Sequence, residues 1–383
     1  MRRTLAIAAA GLILLSGSPA HASTQERQVT ASAETPALFD DEAGGDADAD
    51  DPAIWVHPWD RTRSRVIGTA KNGGLRVYDL AGREVQAIPA GVDGRFNNVD
   101  ITNGNLVVVT DRGRDQLRFY RIDPVTALLT DVTVDSPPLL FSANQDEVAQ
   151  QATGYGLAAY GNLLVVSRRH TTHLGFFEVV TRGGRISYRK RETLDLPSAF
   201  TLRNGTSWTP CEDPGEAPQV EGMVIDPKTN ALYASQEDVA LWRIDLRTKH
   251  RTAVEYVTEF GAPYNADCIP TGPGEGGRIH ADVEGATIYG DYLLASSQGD
   301  SRFFVYDRRT NKPLTSFTVT DAENGIDGVQ HSDGAAATST PLPGYPHGLL
   351  VLHDGENTPN EGRTSTNFKF IDWRRLGSAT NKS

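Results

Sequence analysis

The sequence predicts an all-β chain closed into a six-bladed β-propeller, and three observations predict it. A hairpin unit of apolar strand, polar turn and aromatic-bearing strand recurs six times. Beyond the first residues no apolar i, i+3, i+4, i+7 run suggests a long helix. No Pro/Ser/Gly linker or charge block divides the chain, so the length goes into one body. A sandwich rarely holds so many equivalent hairpins, and a solenoid uses shorter, more regular repeats. Six four-stranded units in a ring protect their edges by closure.

The hairpins follow in order: residues 65–80 (RVIGTAKNGGLRVYDL), 105–122 (NLVVVTDRGRDQLRFYRI), 162–179 (NLLVVSRRHTTHLGFFEV), 231–246 (ALYASQEDVALWRIDL), 292–307 (YLLASSQGDSRFFVYD) and 348–373. Their aromatics are Tyr78, Tyr120, Phe177, Trp242, Tyr306 and Phe370, spaced 42, 57, 65, 64 and 64 residues apart. That spacing accommodates four strands and variable loops. The inner strand of each blade should precede its hairpin: DDPAIW (50–55), NNVDI (97–101), TGYGLAAY (153–160), VEGMVI (220–225), ADVEGATIY (281–289) and GIDGV (325–329).

Residues 1–22 read as a secretory signal peptide, with Arg2 and Arg3, an apolar Leu5–Leu15 stretch and an Ala20-His21-Ala22 cleavage site. Residues 23–39 read as an N-terminal extension, 40–377 as the propeller and 378–383 as a tail. No later stretch is long and apolar enough to span a bilayer. The expectation is a secreted, extracellular protein with no membrane partner, and nothing points beyond a monomer. Removing residues 1–22 takes away two arginines and no acid, moving the net charge from −12 to −14. Nucleic acid is excluded, because phosphate-backbone binding needs a basic stripe. Two cysteines, Cys211 and Cys268, are too few for a disulfide framework.

Equivalent turns of a propeller face one end of the ring, so the repeat gathers the chemistry. The first three hairpin turns supply Lys71, Arg112 and Arg168-Arg169; the last three supply Glu237-Asp238, Gln298 with Asp300, and Asp354 with Glu356. The inner strands add Asp51, Asn98, Tyr155, Glu221, Asp282, Glu284 and Asp327. Half of this face is basic and half acidic. Carboxylates and amides without His or Cys partners suit a hard cation, and calcium accepts six to eight oxygens in irregular geometry. A basic arc beside calcium would hold a polyanion, with phosphate esters the natural candidates.

With these stretches in place, the chain resembles the β-propeller, or alkaline, phytases. The resemblance rests on DDPAIW, FNNVDI (96–101), GYGL (154–157), VEGM (220–223), DVEG (282–285), LLASSQGD (293–300), IDGV (326–329), YPHGLLVLHDGEN (345–357) and NFKFIDW (367–373), and covers about residues 40–375. It implies a calcium-dependent phosphomonoesterase of the 3-phytase type. Its substrate would be phytate (inositol hexakisphosphate) or calcium-phytate, cleaved by a metal-activated water. Carried over by motif, several Ca2+ ions would be held by Asp51, Glu221, Glu237, Asp282, Glu284, Gln298, Asp327, Asp333 and Asp354. Phosphate would meet Lys71, Arg112, Tyr155 and one arginine of the 168–169 pair, Arg169 being carried with Arg168 open as the alternative.

The chain departs from that pattern in places. Arg168-Arg169 stands where a lysine is usual, Asn72 replaces a second lysine, and Asp300 replaces a neutral residue. A Cys211–Cys268 bridge, not a usual family feature, would close a 57-residue loop containing Glu221 and Glu237. Two readings compete with the phytase. A lactonase-like propeller would not need the basic arc. A non-catalytic, calcium-stabilised propeller binding an anionic ligand would bind without turnover.

Overall fold

A computed structural model describes residues 26–211, 214–359 and 362–380. The expected signal peptide and the last three residues lie outside the described residues. Five blades are antiparallel sheets of consecutive strands. Blade 1 is Pro52–Trp55, Arg65–Thr69, Leu75–Tyr78 and Glu84–Ile88; blade 2 is Phe96–Thr102, Leu106–Asp111, Gln116–Ile122 and Leu129–Asp131. Blade 3 is Gly154–Tyr160, Leu163–Arg168, His173–Arg182 and Arg185–Asp195; blade 4 is Val220–Asp226, Ala231–Gln236, Ala240–Asp245 and Arg251–Tyr256. Blade 5 is Val283–Tyr289, Tyr292–Ser297, Arg302–Asp307 and Pro313–Thr320. Blade 6 takes three strands from the C-terminal part, Ala335–Thr338, Leu349–Asp354 and Ser365–Asp372.

The ring is closed by the start of the chain. Ala33–Glu34 pairs antiparallel with Ser365–Asp372 as the fourth strand of blade 6, and Leu38–Phe39 pairs with the same strand's beginning. Glu26–Thr30 adds a parallel fifth strand to blade 5. Residues 26–39, set apart from the propeller in the sequence reading, are thus built into it. Each inner strand packs on the next, and Ala335–Thr338 packs on Pro52–Trp55.

All six hairpins fall on the second and third strands of their blades. Tyr78, Tyr120, Phe177, Trp242, Tyr306 and Phe370 are buried in the layers between blades. Full burial of such a side chain contributes roughly 1.5–3 kcal/mol, so each repeat carries its own share of the inter-blade core.

One expected inner strand is wrong. Residues 325–329 form no strand: Gly325, at φ 89°, closes a turn by donating its N–H to the Ala322 carbonyl at 3.0 Å, and the Gly328 N–H donates to Asp321 Oδ1 at 3.0 Å. The inner strand of blade 6 is Ala335–Thr338 instead. Six strands converge on a channel of about 200 Å3, where small side chains fit, so an Ala-rich strand there lacks the bulky apolar signature of a strand.

Cys211 and Cys268 form a disulfide across 57 residues of chain. It ties the Phe200–Thr201/Ser207–Trp208 hairpin region to the loop after blade 4, where Trp208, Phe260 and Tyr264 pack together. Loop-closure entropy for this span corresponds to about 4 kcal/mol. The double variant Cys211→Ser/Cys268→Ser is expected to lose stability on that scale in urea unfolding, and reductant is expected to shift only the parent. Equal midpoints for the two proteins without reductant would contradict a stabilising bridge.

Candidate active site

The hairpin turns and the beginnings of the inner strands meet at one mouth of the channel. Asp50, Asn97, Tyr155, Glu221, Glu284 and Asp333 each stand two residues before the first regularly paired residue of their inner strands. Four of the six are followed by glycine, and the reason is steric. A Cβ on Gly222 would lie 2.2 Å from the Glu284 carbonyl oxygen, and one on Gly334 would lie 2.5 Å from that of Asp50. Without side chains there, neighbouring inner strands bring their acids together.

Glu221, Glu237 and Glu284 are buried, and each places a carboxylate oxygen within 4.8 Å of the others. Asn97 Nδ2 donates to Glu221 Oε1 at 2.6 Å, and the Tyr155 hydroxyl donates to Glu221 Oε2 at 2.7 Å. Gln298 Nε2 donates to Asp333 Oδ1 at 2.6 Å. Among the described residues, Asp50 Oδ1 and Glu284 Oε2 are buried without a hydrogen-bond partner. Burial, then repulsion from Glu221, pushes the Asp50 carboxyl well above the usual range. Burial, then Glu221 and Glu237, does the same to Glu284. Oxygen donors alone, crowded and in part unsatisfied, fit a hard divalent cation.

The opposite arc is cationic. Arg112 Nη1 donates to Asn97 Oδ1 at 2.9 Å, and its guanidinium carbon lies 5.7 Å from the Tyr155 ring centroid. Burial, then the nearby Arg95 charge, lowers the Arg112 pKa, with Arg169 adding to the effect. Arg168 turns away: its Nε donates to the Ala152 carbonyl at 2.8 Å, and its charge bears on Lys190. Arg169 is therefore the member of the pair that faces the site. Lys71 Nζ donates to Asp48 Oδ2 at 3.2 Å. Burial would lower its pKa, but Asp50, Asp333, Asp48 and Glu221 outweigh that and hold it up.

Other expected site residues lie elsewhere. Asp51 and Asn98, read from sequence as ring members, give way to Asp50 and Asn97. In blade 2 a bulge between Phe96 and Val99 shifts the register by one residue, and in blade 1 Asp50 and Asp51 both bond the backbone of Thr69. Asp51 Oδ2 instead accepts the Val99 N–H of blade 2 at 3.0 Å, below the mouth, and Asp100 Oδ2 likewise accepts the Ala159 N–H of blade 3 at 2.7 Å. Asp327 and Asp354 converge with Glu34 on the fully buried Lys369, whose Nζ lies 2.6 Å from Glu34 Oε2 and 3.2 Å from Asp354 Oδ2. Asp282 sits beside the ring; its carbonyl accepts the Gln298 N–H at 2.9 Å. Glu259 braces that segment, accepting the Ala281 N–H at 3.0 Å and pairing with His280 Nδ1 at 2.9 Å.

Sequence reasoning missed Arg95, Asp50, Asn97 and Glu259. The acid-then-glycine pairs at 221–222, 284–285 and 333–334 carried a usable signal: aligned on glycine, they place Asp333 rather than Asp327 in the ring.

The closed ring and its channel mouth, carboxylates against arginines, define a propeller enzyme whose face suits cations and anions side by side. The family model described as Phytase matches residues 2–157 and 215–383, and the chain belongs to that family. It is 30% identical over 390 aligned positions to the 3-phytase of Bacillus subtilis (strain 168), covering 96% of this chain and 91% of that protein. A solved structure described as a streptogramin B lyase aligns over 88% of this chain and 97% of its own, at 10% identity and a TM-score of 0.43.

The carboxylate cluster gives stability a definite pH sign. Glu284 keeps its proton in the fold past the pH, near 4, where an unfolded carboxyl loses it. Asp100, raised to about 6 by burial, does the same. Their raised pKa values mean that metal-free stability is fullest below the unfolded pKa and falls as pH rises through the folded values. Glu284→Gln is expected to stabilise the chelated protein more at pH 8 than at pH 5 in thermal melts. An advantage that is flat or shrinks with pH would refute the assignment.

Proposed function

We propose that the chain is a secreted, calcium-dependent phosphatase that hydrolyses phytate or its calcium salt to lower inositol phosphates. The observation that carries the reading is the channel mouth. There the partnerless oxygens of Asp50 and Glu284 lie near the Glu221–Tyr155–Arg112 chain. Each side of this face is destabilised alone, acids by acids and Arg112 by Arg95 and Arg169, and each is relieved by the opposite charge. A phosphate ester held on cations satisfies both sides. The match to a 3-phytase over nearly the whole chain supports phytate as substrate.

Glu221, Glu237 and Glu284, with Asp50 and Asp333 beside them, would hold calcium. When bound, calcium would neutralise phosphoryl charge and lower the pKa of an attacking water. The protein's own part is placement. Arg112 and Arg169 present guanidinium groups to equatorial phosphoryl oxygens, stabilising charge that grows in the transition state. Asn97 fixes Arg112 through Oδ1 and Glu221 through Nδ2, so one amide spaces cation arc and acid cluster. Tyr155 keeps its proton, since burial and then Glu221 raise its pKa, and it therefore acts as a hydrogen-bond donor. Lys71 stays protonated among its carboxylates and offers a second anchor to a multiply phosphorylated ring.

Phosphate release from phytate at neutral pH is expected with added calcium and is expected to vanish with excess chelator. Arg112→Ala should lower kcat about 10²–10³-fold, the scale of losing one transition-state donor. Release that is indifferent to chelator would remove the metal from the mechanism. Binding of phytate without any turnover by folded protein would favour the non-catalytic anion binder instead.

A further inference from the structure

Gln219 belongs to neither ring, yet it touches both halves of the face. It is buried, its Nε2 donates to Glu237 Oε2 at 2.9 Å, and its Oε1 accepts the His170 N–H at 2.9 Å. Its own carbonyl accepts the Glu237 N–H at 3.2 Å. His170 directly follows Arg169 and holds a left-handed backbone at φ 59°, while the Arg169 N–H donates to the Thr153 carbonyl at 2.9 Å. The peptides on either side of the Arg169 Cα are therefore both held, one by the Thr153 carbonyl and the other by Gln219.

We propose that Gln219 is a positioning residue that locks the phosphate-facing Arg169 turn of blade 3 to the metal-facing Glu237 of blade 4. The inference rests on the proposed roles of those two residues. Its chemistry calls for an amide. The donor end must face a carboxylate and the acceptor end a backbone N–H, and an Asn or Gln side chain offers both in one rigid plane without titrating. Glutamate would set two carboxylates against each other, and methionine would leave the half-buried His170 N–H without its acceptor. Asparagine is one methylene too short to span the gap. Partners that orient a metal ligand typically set affinity for the metal by 10–100-fold, and the same side chain here also sets the arginine.

The test uses the full chain stripped of metal. Calcium is titrated calorimetrically into the parent, Gln219→Met and Gln219→Asn, and KM for phytate is measured for each, with and without Arg169→Ala. Gln219→Met is expected to weaken calcium binding about 10–100-fold and to raise KM. The rise in KM should disappear in the Arg169→Ala background, while the calcium defect persists there. If the Met variant does not fold, the Asn variant, which keeps a buried amide, is read for the same pair of losses. Folded variants with both constants within about twofold of the parent would overturn the proposal and leave Gln219 a packing residue. So would an equal rise in KM in both arginine backgrounds. A parent that binds no calcium would overturn the metal reading first, and the inference with it.

Discussion

The structure depends on the close approach of six inner strands around one narrow channel. Propeller closure presses the strand beginnings together, and glycines after Tyr155, Glu221, Glu284 and Asp333 let backbone meet backbone there. The residues just before those glycines are then crowded too, and most of them are acids. Carboxylates buried at this separation repel strongly, because little water is left to screen them. The architecture that closes the ring thus creates the demand for positive charge at its mouth.

The molecule meets part of that demand itself, at graded depths. Lys71 stands among Asp48, Asp50 and Asp333, and Arg112 is spaced from Glu221 by Asn97. On the blade 6 side, a single buried ammonium, Lys369, faces three carboxylates, one of them contributed by the N-terminal strand that closes the ring. At the centre, Glu221 accepts from an amide and a hydroxyl and Glu237 from an amide, while Glu284 Oε2 has no hydrogen-bond partner among the described residues. Protein cations thus stand among the rim acids, and the middle is where a bound cation would have most effect.

The lobe joined by Cys211–Cys268 flanks the acidic side of the face. The family model leaves residues 158–214 unmatched, a stretch that includes Cys211 and the hairpin before it. Its partner loop carries Glu259, which braces the segment leading into Asp282. The bridge therefore joins a stretch that the family model does not match to a loop that braces the segment leading into Asp282.

The sequence by itself determined the six hairpins, the buried aromatic of each and the sorting of charge around the face. All of these follow from local period and from repetition: every blade states its pattern independently, and buried aromatics such as Tyr78 and Trp242 mark it. Glu221, Glu284 and Arg112 were legible for the same reason. Tertiary structure alone decided register and partners. A one-residue bulge exchanges Asn98 for Asn97, and in blade 1 Asp50 stands in the ring in place of Asp51, because alternate residues of a strand face opposite ways. Ala335–Thr338 became an inner strand because the channel has room only for small side chains. Asp327 and Asp354 went to Lys369, which is distant in sequence from Asp327 and from Glu34. Gln219 and Arg95 show nothing in their local sequence, since the side-chain partners of each, His170 and Glu237 for one and Asp46 and Asn72 for the other, lie on other strands and turns brought against it.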